Sequence, residues 1–112
     1  SPEQEEKVKK AINEACRISV RSVQDFLEKN PLFDEQKGYY GFAHVCTNHI
    51  SEVTQALQDT GFAKAYSDGD YYIEIDEYQT SNLKLLEIGA DAAAKYLTKE
   101  LGQNFFVKSR LD

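Results

Sequence analysis

The stretch YSDGDYYIEIDEY, residues 66–78, is where the hydrophobic pattern of this chain changes its period. Residues 71–78 alternate between two faces and are rich in aromatic and β-branched types, which is typical of a half-buried strand. Asp68-Gly69 supplies the residues of a tight turn, and FAKAY at 62–66 supplies a first strand, so the stretch predicts a β-hairpin. We expect Tyr71, Ile73 and Ile75 to face the core, and Tyr72, Glu74, Asp76 and Tyr78 to face outward.

Three other stretches carry apolar residues at every third or fourth position, which is the spacing of amphipathic helices. We predict helices over residues 3–29, 42–60 and 83–101. The third helix ends at Gly102, because glycine is the common left-handed cap. FFVKS at 105–109 then predicts a short final strand that joins the hairpin.

The predicted order is therefore helix, helix, hairpin, helix, strand. A chain of 112 residues suits one domain, since a second hydrophobic core would be hard to build at this length. We predict a single α+β domain over 1–112, with three helices packed on a small, mainly antiparallel sheet.

Both histidines and one of the two cysteines lie within the second predicted helix, as His44, Cys46 and His49. Because successive helical residues turn by about 100°, Cys46 and His49 would share one face and His44 would point away. One metal ion could not contact all three side chains, so we expect no metal site and no cofactor. In this interpretation Cys46 is buried, His49 half-buried and His44 exposed.

The same geometry leaves a catalytic pair open, since a thiol and an imidazole three residues apart on a helix can approach each other. Cys46 lies on the apolar face, however, where a thiol is usually inert. We expect Cys16 and Cys46 to be reduced and separate, with a disulfide between them as the alternative.

The negative charge of this chain is concentrated in one region. Residues 52–77 hold seven acidic residues and one basic residue, whereas the rest of the chain holds twelve of each. Tyrosines are interleaved with these acids, and tyrosine is enriched at the energetic centres of protein interfaces. We therefore predict a binding surface formed by Asp68, Asp70, Tyr72, Glu74, Asp76, Glu77 and Tyr78.

Clustered carboxylates attract a basic protein partner and repel nucleic acid, which we do not expect this chain to bind. The sequence thus predicts a small acidic protein-binding module of the inhibitor, immunity-protein or mimic type. The alternatives are a small enzyme that uses Cys46 with His49 or the hairpin carboxylates, and an adaptor subunit that binds through the alanine-rich third helix.

No apolar run approaches the roughly 18 residues of a membrane span, so we expect a soluble protein that does not enter a membrane. A cytoplasmic location is favoured, and a periplasmic or secreted mature form remains open. The oligomeric state and the identity of the partner do not follow from the sequence.

Overall fold

The computed structural model describes all residues, 1–112. It contains three helices and four strands, in the order α1 (Pro2–Lys29), β1 (Gly41–Thr47), α2 (Glu52–Asp59), β2 (Ala63–Ala65), β3 (Tyr71–Ile73), α3 (Leu83–Leu101) and β4 (Phe106–Leu111). The strands form one antiparallel sheet in the order β2-β3-β1-β4. The predicted α+β class, with three helices on a small antiparallel sheet, is confirmed.

The second predicted helix is wrong over its first half, because residues 41–47 form the strand β1. This strand lies between β3 and β4 in the middle of the sheet, and five of its seven residues are buried. Apolar residues stand on both faces of this strand, so the polar alternation that marks a half-exposed strand is weak and the run can be mistaken for part of a helix. The helix α2 begins only after Ser51, whose hydroxyl accepts a hydrogen bond from the Thr54 backbone N–H.

Two further predictions for the sheet need correction. The strand predicted over 71–78 ends at Ile73, and the following residues leave the sheet. The N–H of Asp76 instead donates to the Cys16 thiol, 3.2 Å away, which holds this segment against α1. The last strand does not join the hairpin, since β1 lies between β3 and β4.

Without α1, the chain follows the split βαβ connectivity, which is also called ferredoxin-like. The helix α1 packs mainly against α3, and also against α2. The close crossing with α3 occurs at Gly89, where a Cβ atom would lie only 2.7 Å from the Ser19 hydroxyl oxygen. All three helices contribute to a core on one side of the sheet, and its largest fully buried apolar side chains are Ile12, Leu57, Leu85, Leu97, Val8 and Val23.

Asn82 joins the helix α3 to the long connector between α1 and β1. Its Oδ1 accepts a hydrogen bond from the Leu85 backbone N–H and so caps α3. Its Nδ2 donates to the carbonyl oxygens of Glu35 and Lys37, at 3.0 and 2.9 Å. The Asn82 side chain is buried, and these bonds hold the connector that leads into β1.

Candidate binding surface on the open face of the sheet

The side chains of β1 alternate between two different environments. Ala43, Val45 and Thr47 are buried on the side of the helices. Phe42, His44 and Cys46 point to the opposite side, as strand geometry requires. No helix or loop forms a layer on this second side, which we call the open face.

The strand register brings side chains from every strand to the open face. Within the sheet, Tyr72 lies opposite Cys46, Lys108 opposite His44, and Arg110 opposite Phe42. Because residues paired across antiparallel strands share a face, these side chains are neighbours. The open face consists of Phe42, His44, Cys46, Lys64, Tyr72, Phe106, Lys108 and Arg110, and Tyr66, Asp68 and Asp70 from the turn of the hairpin lie against it.

Aromatic rings cover much of this face. Tyr66 stacks on Tyr72 with ring centroids 4.0 Å apart, and His44 lies 5.2 Å from Tyr72. The Phe42 ring is stacked with the His44 ring, with centroids 6.4 Å apart. Phe42 and Tyr66 are 43% and 52% exposed, so a ligand can contact both rings. The rings surround a shallow cavity of about 510 Å³.

A network of ion pairs fixes the central part of the aromatic surface. Lys108 Nζ lies 2.8 Å from Asp68 Oδ2 and 2.6 Å from Asp70 Oδ2. The Tyr72 hydroxyl donates to Asp68 Oδ2 at 3.0 Å. The hydrogen bond from Lys108 lowers the pKa of Asp68 to about 2, and the two carboxylates raise the pKa of Lys108. Asp68 is therefore ionised, and both aspartates are already paired with Lys108 within the chain.

Arg110 differs from Lys108 because it forms no ion pair. Its guanidinium group lies 5.1 Å from the centroid of the Phe42 ring, which is a cation–π distance. The residue is exposed, and its charge remains available to a ligand. Nearby, burial and the charge of Arg110 both lower the pKa of His44, which favours a neutral imidazole.

The histidines and Cys46 do not form a site. Cys46 is buried as predicted, but it lies on a strand, and burial raises the pKa of its thiol to about 11. His49, predicted to be half-buried, is exposed in the loop after β1, and His44, predicted to be exposed, is partly buried. Both predictions assumed a helix that is absent. Cys16 and Cys46 are free thiols, in agreement with the expected reduced state.

The remaining residues of the predicted binding surface lie beside the open face. Glu74 is exposed and lies 3.5 Å from Lys64 Nζ. Asp76 and Glu77 are exposed on the segment that leaves the sheet, and Tyr78 is partly buried there. The expected outward row of one strand is therefore wrong, since β3 supplies only Tyr72 to it.

Of the predicted residues, the structure brings Asp68, Asp70 and Tyr72 together on the open face. The sequence interpretation missed the rest of the surface, which consists of Phe42, His44, Tyr66, Lys108 and Arg110. The alternation in FVKSR carries a signal for Lys108 and Arg110, whereas FAHVC has apolar residues on both faces. The FAHVC run was therefore assigned to a helix, and its outward residues Phe42 and His44 were missed.

The alanine-rich surface of α3 was the expected binding site in the adaptor alternative. Other parts of the chain cover it. Ala90, Ala93 and Ala94 are buried against the helices and the sheet. No cluster of three or more histidine, cysteine, aspartate or glutamate side chains is arranged to hold a metal ion. No helix has both the length and the apolar character needed to span a membrane.

Comparison with protein-family models, with curated proteins and with solved structures finds no match to this chain.

Proposed function

We propose that this protein is a non-catalytic binding module that captures a positively charged protein through the open face. The observation that supports this best is the stacked pair Tyr66–Tyr72, which is exposed at one edge and fixed by the Asp68–Lys108 network. Tyrosine, phenylalanine and arginine are enriched in protein interfaces, and all three types occur on this face. Rings held in place before binding lose little conformational entropy on association.

The charge of the surface favours a basic partner. The open face and the adjoining segment 74–78 carry five carboxylates and three basic side chains, an excess of two negative charges. Asp76 and Glu77 form no ion pair within the chain. These two carboxylates are available to steer a basic surface toward the aromatic rings.

The alternative of a small enzyme has less support. A thiol with a pKa near 11 is protonated at neutral pH, and no hydrogen bond links Cys46 to His49. The hairpin aspartates are bound to Lys108, and the lowered pKa of Asp68 makes it a weak base. A general acid or base needs a pKa near the working pH, and the pKa values of Cys46 and Asp68 both lie far from neutrality.

The test is capture of the partner from native material on the immobilised protein, followed by titration of the captured protein. Tyr72→Ala should weaken binding by at least about 30-fold, because a central interface tyrosine contributes about 2 kcal/mol or more. Tyr39→Ala is the matched control, since Tyr39 is 73% exposed but lies in the connector before β1. Asp76→Lys combined with Glu77→Lys should also weaken binding. Unchanged affinity in the Tyr72 and charge variants would refute the proposal.

A second candidate function is binding of single-stranded nucleic acid, contrary to our expectation from the charge. The specific observation is that aromatic side chains lie on the two central strands, at His44 and Tyr72, with Lys108 and Arg110 beside them on β4. Single-stranded bases stack on aromatic side chains placed on sheets in this way. The excess of carboxylates opposes this binding.

Fluorescence anisotropy with a labelled oligouridine separates the two candidate functions. Binding that weakens with added salt and that is lost in both Tyr72→Ala and Arg110→Ala would favour nucleic acid. No binding at about 50 mM salt would leave the protein partner as the better supported candidate.

A further inference from the structure

The sheet is interrupted between β1 and the segment 74–81, and we call this opening the slot. At one end of the slot, Val45 pairs with Ile73, the last residue of β3. At the other end, the Gly41 N–H donates to the Ser81 carbonyl oxygen, 3.2 Å away. No backbone hydrogen bond joins β1 to the segment between these two contacts. The edge of β1 is therefore unpaired between Gly41 and Val45.

The backbone of Ala43 directs its N–H and C=O groups into the slot. Along an antiparallel strand, successive residues direct these groups to opposite edges. The Asp112 N–H donates to the Tyr40 carbonyl on the side of β4, whereas the Gly41 N–H points to Ser81, so the odd-numbered residues of β1 face the slot. Neither group of Ala43 has a hydrogen-bond partner in the chain, although the residue is only 5% exposed. Buried backbone groups of this kind are rare, because nearly all are paired.

The hydroxyl of Ser19 is a second buried polar group without a partner. Ser19 lies on α1 and is 1% exposed. Its carbonyl oxygen accepts a hydrogen bond from the Ser22 hydroxyl, but its own hydroxyl forms none. Ser19 and Ala43 both line a cavity of about 180 Å³ that lies in the slot. Two unsatisfied polar sites, one from a helix and one from a strand, therefore border the same cavity.

The size and lining of this cavity suit a small uncharged ring. Its apolar walls come from Val45, Ile73, Ile75 and Ala90. A dry cavity of about 150 Å³ can hold a benzene ring, so a single six-membered ring fits here. Apolar walls with a few polar groups are typical of small-molecule sites. The acids at its border are Glu74 and Glu77, and no lysine or arginine lines it, which disfavours an anionic ligand.

A second cavity of about 270 Å³ continues along the slot. Ala43, His44 and Glu77 border both cavities, and Leu86 of α3 lies at the inner side of the second one. Substituents on a ring bound beside Ala43 can therefore extend along the slot. An added β-strand does not fit, because bonds within the chain close the slot at both ends.

The unpaired groups specify the edge of the ring. One N–H and one C=O of a single residue are satisfied together by an acceptor and a donor that lie side by side. A cyclic amide presents a C=O beside an N–H on one edge of a planar ring. The Ser19 hydroxyl can donate to a further carbonyl oxygen of such a ring.

We propose that the slot binds a small neutral cyclic amide. The ring C=O accepts a hydrogen bond from the Ala43 N–H, and the adjacent ring N–H donates to the Ala43 carbonyl oxygen. Ser19 binds a second carbonyl oxygen of the ring. This inference concerns the interior of the sheet and does not depend on the partner proposed for the open face.

Uracil, a neutral six-membered ring with alternating C=O and N–H groups, is the probe. Titration into the isotope-labelled protein should shift the amide resonance of Ala43 and slow its hydrogen exchange. Uracil methylated at both ring nitrogens is the matched control ligand, since it keeps the carbonyl oxygens and lacks the donors. It should bind at least about 10-fold more weakly, because the Ala43 carbonyl stays unpaired.

Ser19→Ala should weaken uracil binding about 5-fold, which is the effect of losing one neutral hydrogen bond. The stability of the free protein should not fall, because the hydroxyl has no partner there and alanine is the better helix former. Ser22→Ala is the matched control on the same helix. Its hydroxyl donates to the Ser19 carbonyl and does not line the cavity, so this variant should bind uracil like the parent.

Equal binding of uracil and its methylated form would overturn the proposal, as would an Ala43 resonance that does not move at millimolar uracil. Unchanged uracil affinity in Ser19→Ala would contradict the role of the hydroxyl. An Ala43 amide that is strongly protected from exchange in the free protein would also overturn it, because the segment 74–77 would then pair with β1 and close the slot.

Discussion

At the scale of single residues, Lys108 determines how much of the acidic surface remains free. Its ammonium group pairs with Asp68 and Asp70, which lie 40 and 38 residues away in the chain. The sequence pattern showed an excess of carboxylates in 52–77, but it could not show that a distant lysine neutralises two of them. Tyr72 is held by the same network, through its hydrogen bond to Asp68.

Asp68→Asn should lower stability at neutral pH and have no effect in strong acid. The hydrogen bond from Lys108 lowers the pKa of Asp68 from 3.8 to about 2 in the folded protein. A carboxyl group with a lowered folded-state pKa stabilises the fold above its unfolded pKa. The stabilisation is therefore fully present above about pH 5, and it is lost as the pH falls through 3.8 toward about 2.

Thermal unfolding of the parent and the variant, measured across this pH range, tests the prediction. Asp25→Asn is the matched control, because Asp25 is an exposed aspartate on α1 that forms no ion pair. The Tm difference for Asp68→Asn should shrink toward low pH, and that for Asp25→Asn should stay near zero. A Tm difference for Asp68→Asn that is independent of pH would contradict the assignment.

At the scale of elements, β1 decides the composition of the binding surface. Had residues 42–47 formed a helix, Phe42 and His44 would lie on different sides of it. As a strand they lie two residues apart on one face, where β4 adds Lys108 and Arg110. The pairing of β1 with two neighbours outweighs the helix-like spacing of its apolar residues, because a central strand forms backbone hydrogen bonds along both of its edges.

Gly89→Ala should destabilise the protein by roughly 1 kcal/mol, although alanine is the better helix former by about that amount. A Cβ atom at this position would lie 2.7 Å from the Ser19 hydroxyl oxygen and 3.3 Å from Val23 Cγ2. Overpacking of a buried contact of this kind costs about 1–3 kcal/mol, which exceeds the gain in helix propensity. Urea denaturation of both proteins gives the difference in the free energy of unfolding.

Ala92→Gly on the same helix measures how much helix propensity alone contributes to the free energy of unfolding, at a partly exposed position. This control should lose about 1 kcal/mol without any change in the α1–α3 contact. If Gly89→Ala proved more stable than the parent, the packing between α1 and α3 would be looser than the distances imply.

At the scale of the whole molecule, the helices occupy one side of the sheet and leave the other side to a ligand. The core uses residues from all three helices and from the inner face of the sheet. The exposed aromatic rings and the charged network therefore contribute little to the core. A surface of this kind can be varied without loss of the fold, which makes the proposed binding experiments interpretable.

Capture of the proposed basic partner should weaken as salt is added. The screening length falls from about 10 Å at 0.1 M to about 3 Å at 1 M, so attraction from exposed carboxylates such as Asp76 and Glu77 is reduced. The association rate should fall more than the dissociation rate rises, because exposed charges act mainly on encounter. Surface plasmon resonance across a salt series measures both rates. An association rate that does not change with salt would argue against a basic partner.

The sequence by itself determined the elements whose signals are local. The apolar spacing of α1 and α3, the cap of α3 at Gly102 and the turn at Asp68-Gly69 depend on neighbouring residues, and they are found where the pattern predicted them. The inward positions of Tyr71, Ile73 and Ile75 are also confirmed. The tertiary structure alone decided that β1 is a strand and that β4 pairs with it. Only these long-range pairings bring Lys108 to Asp68 and Arg110 to Phe42, because hydrogen bonds between distant strands leave no local periodicity to read.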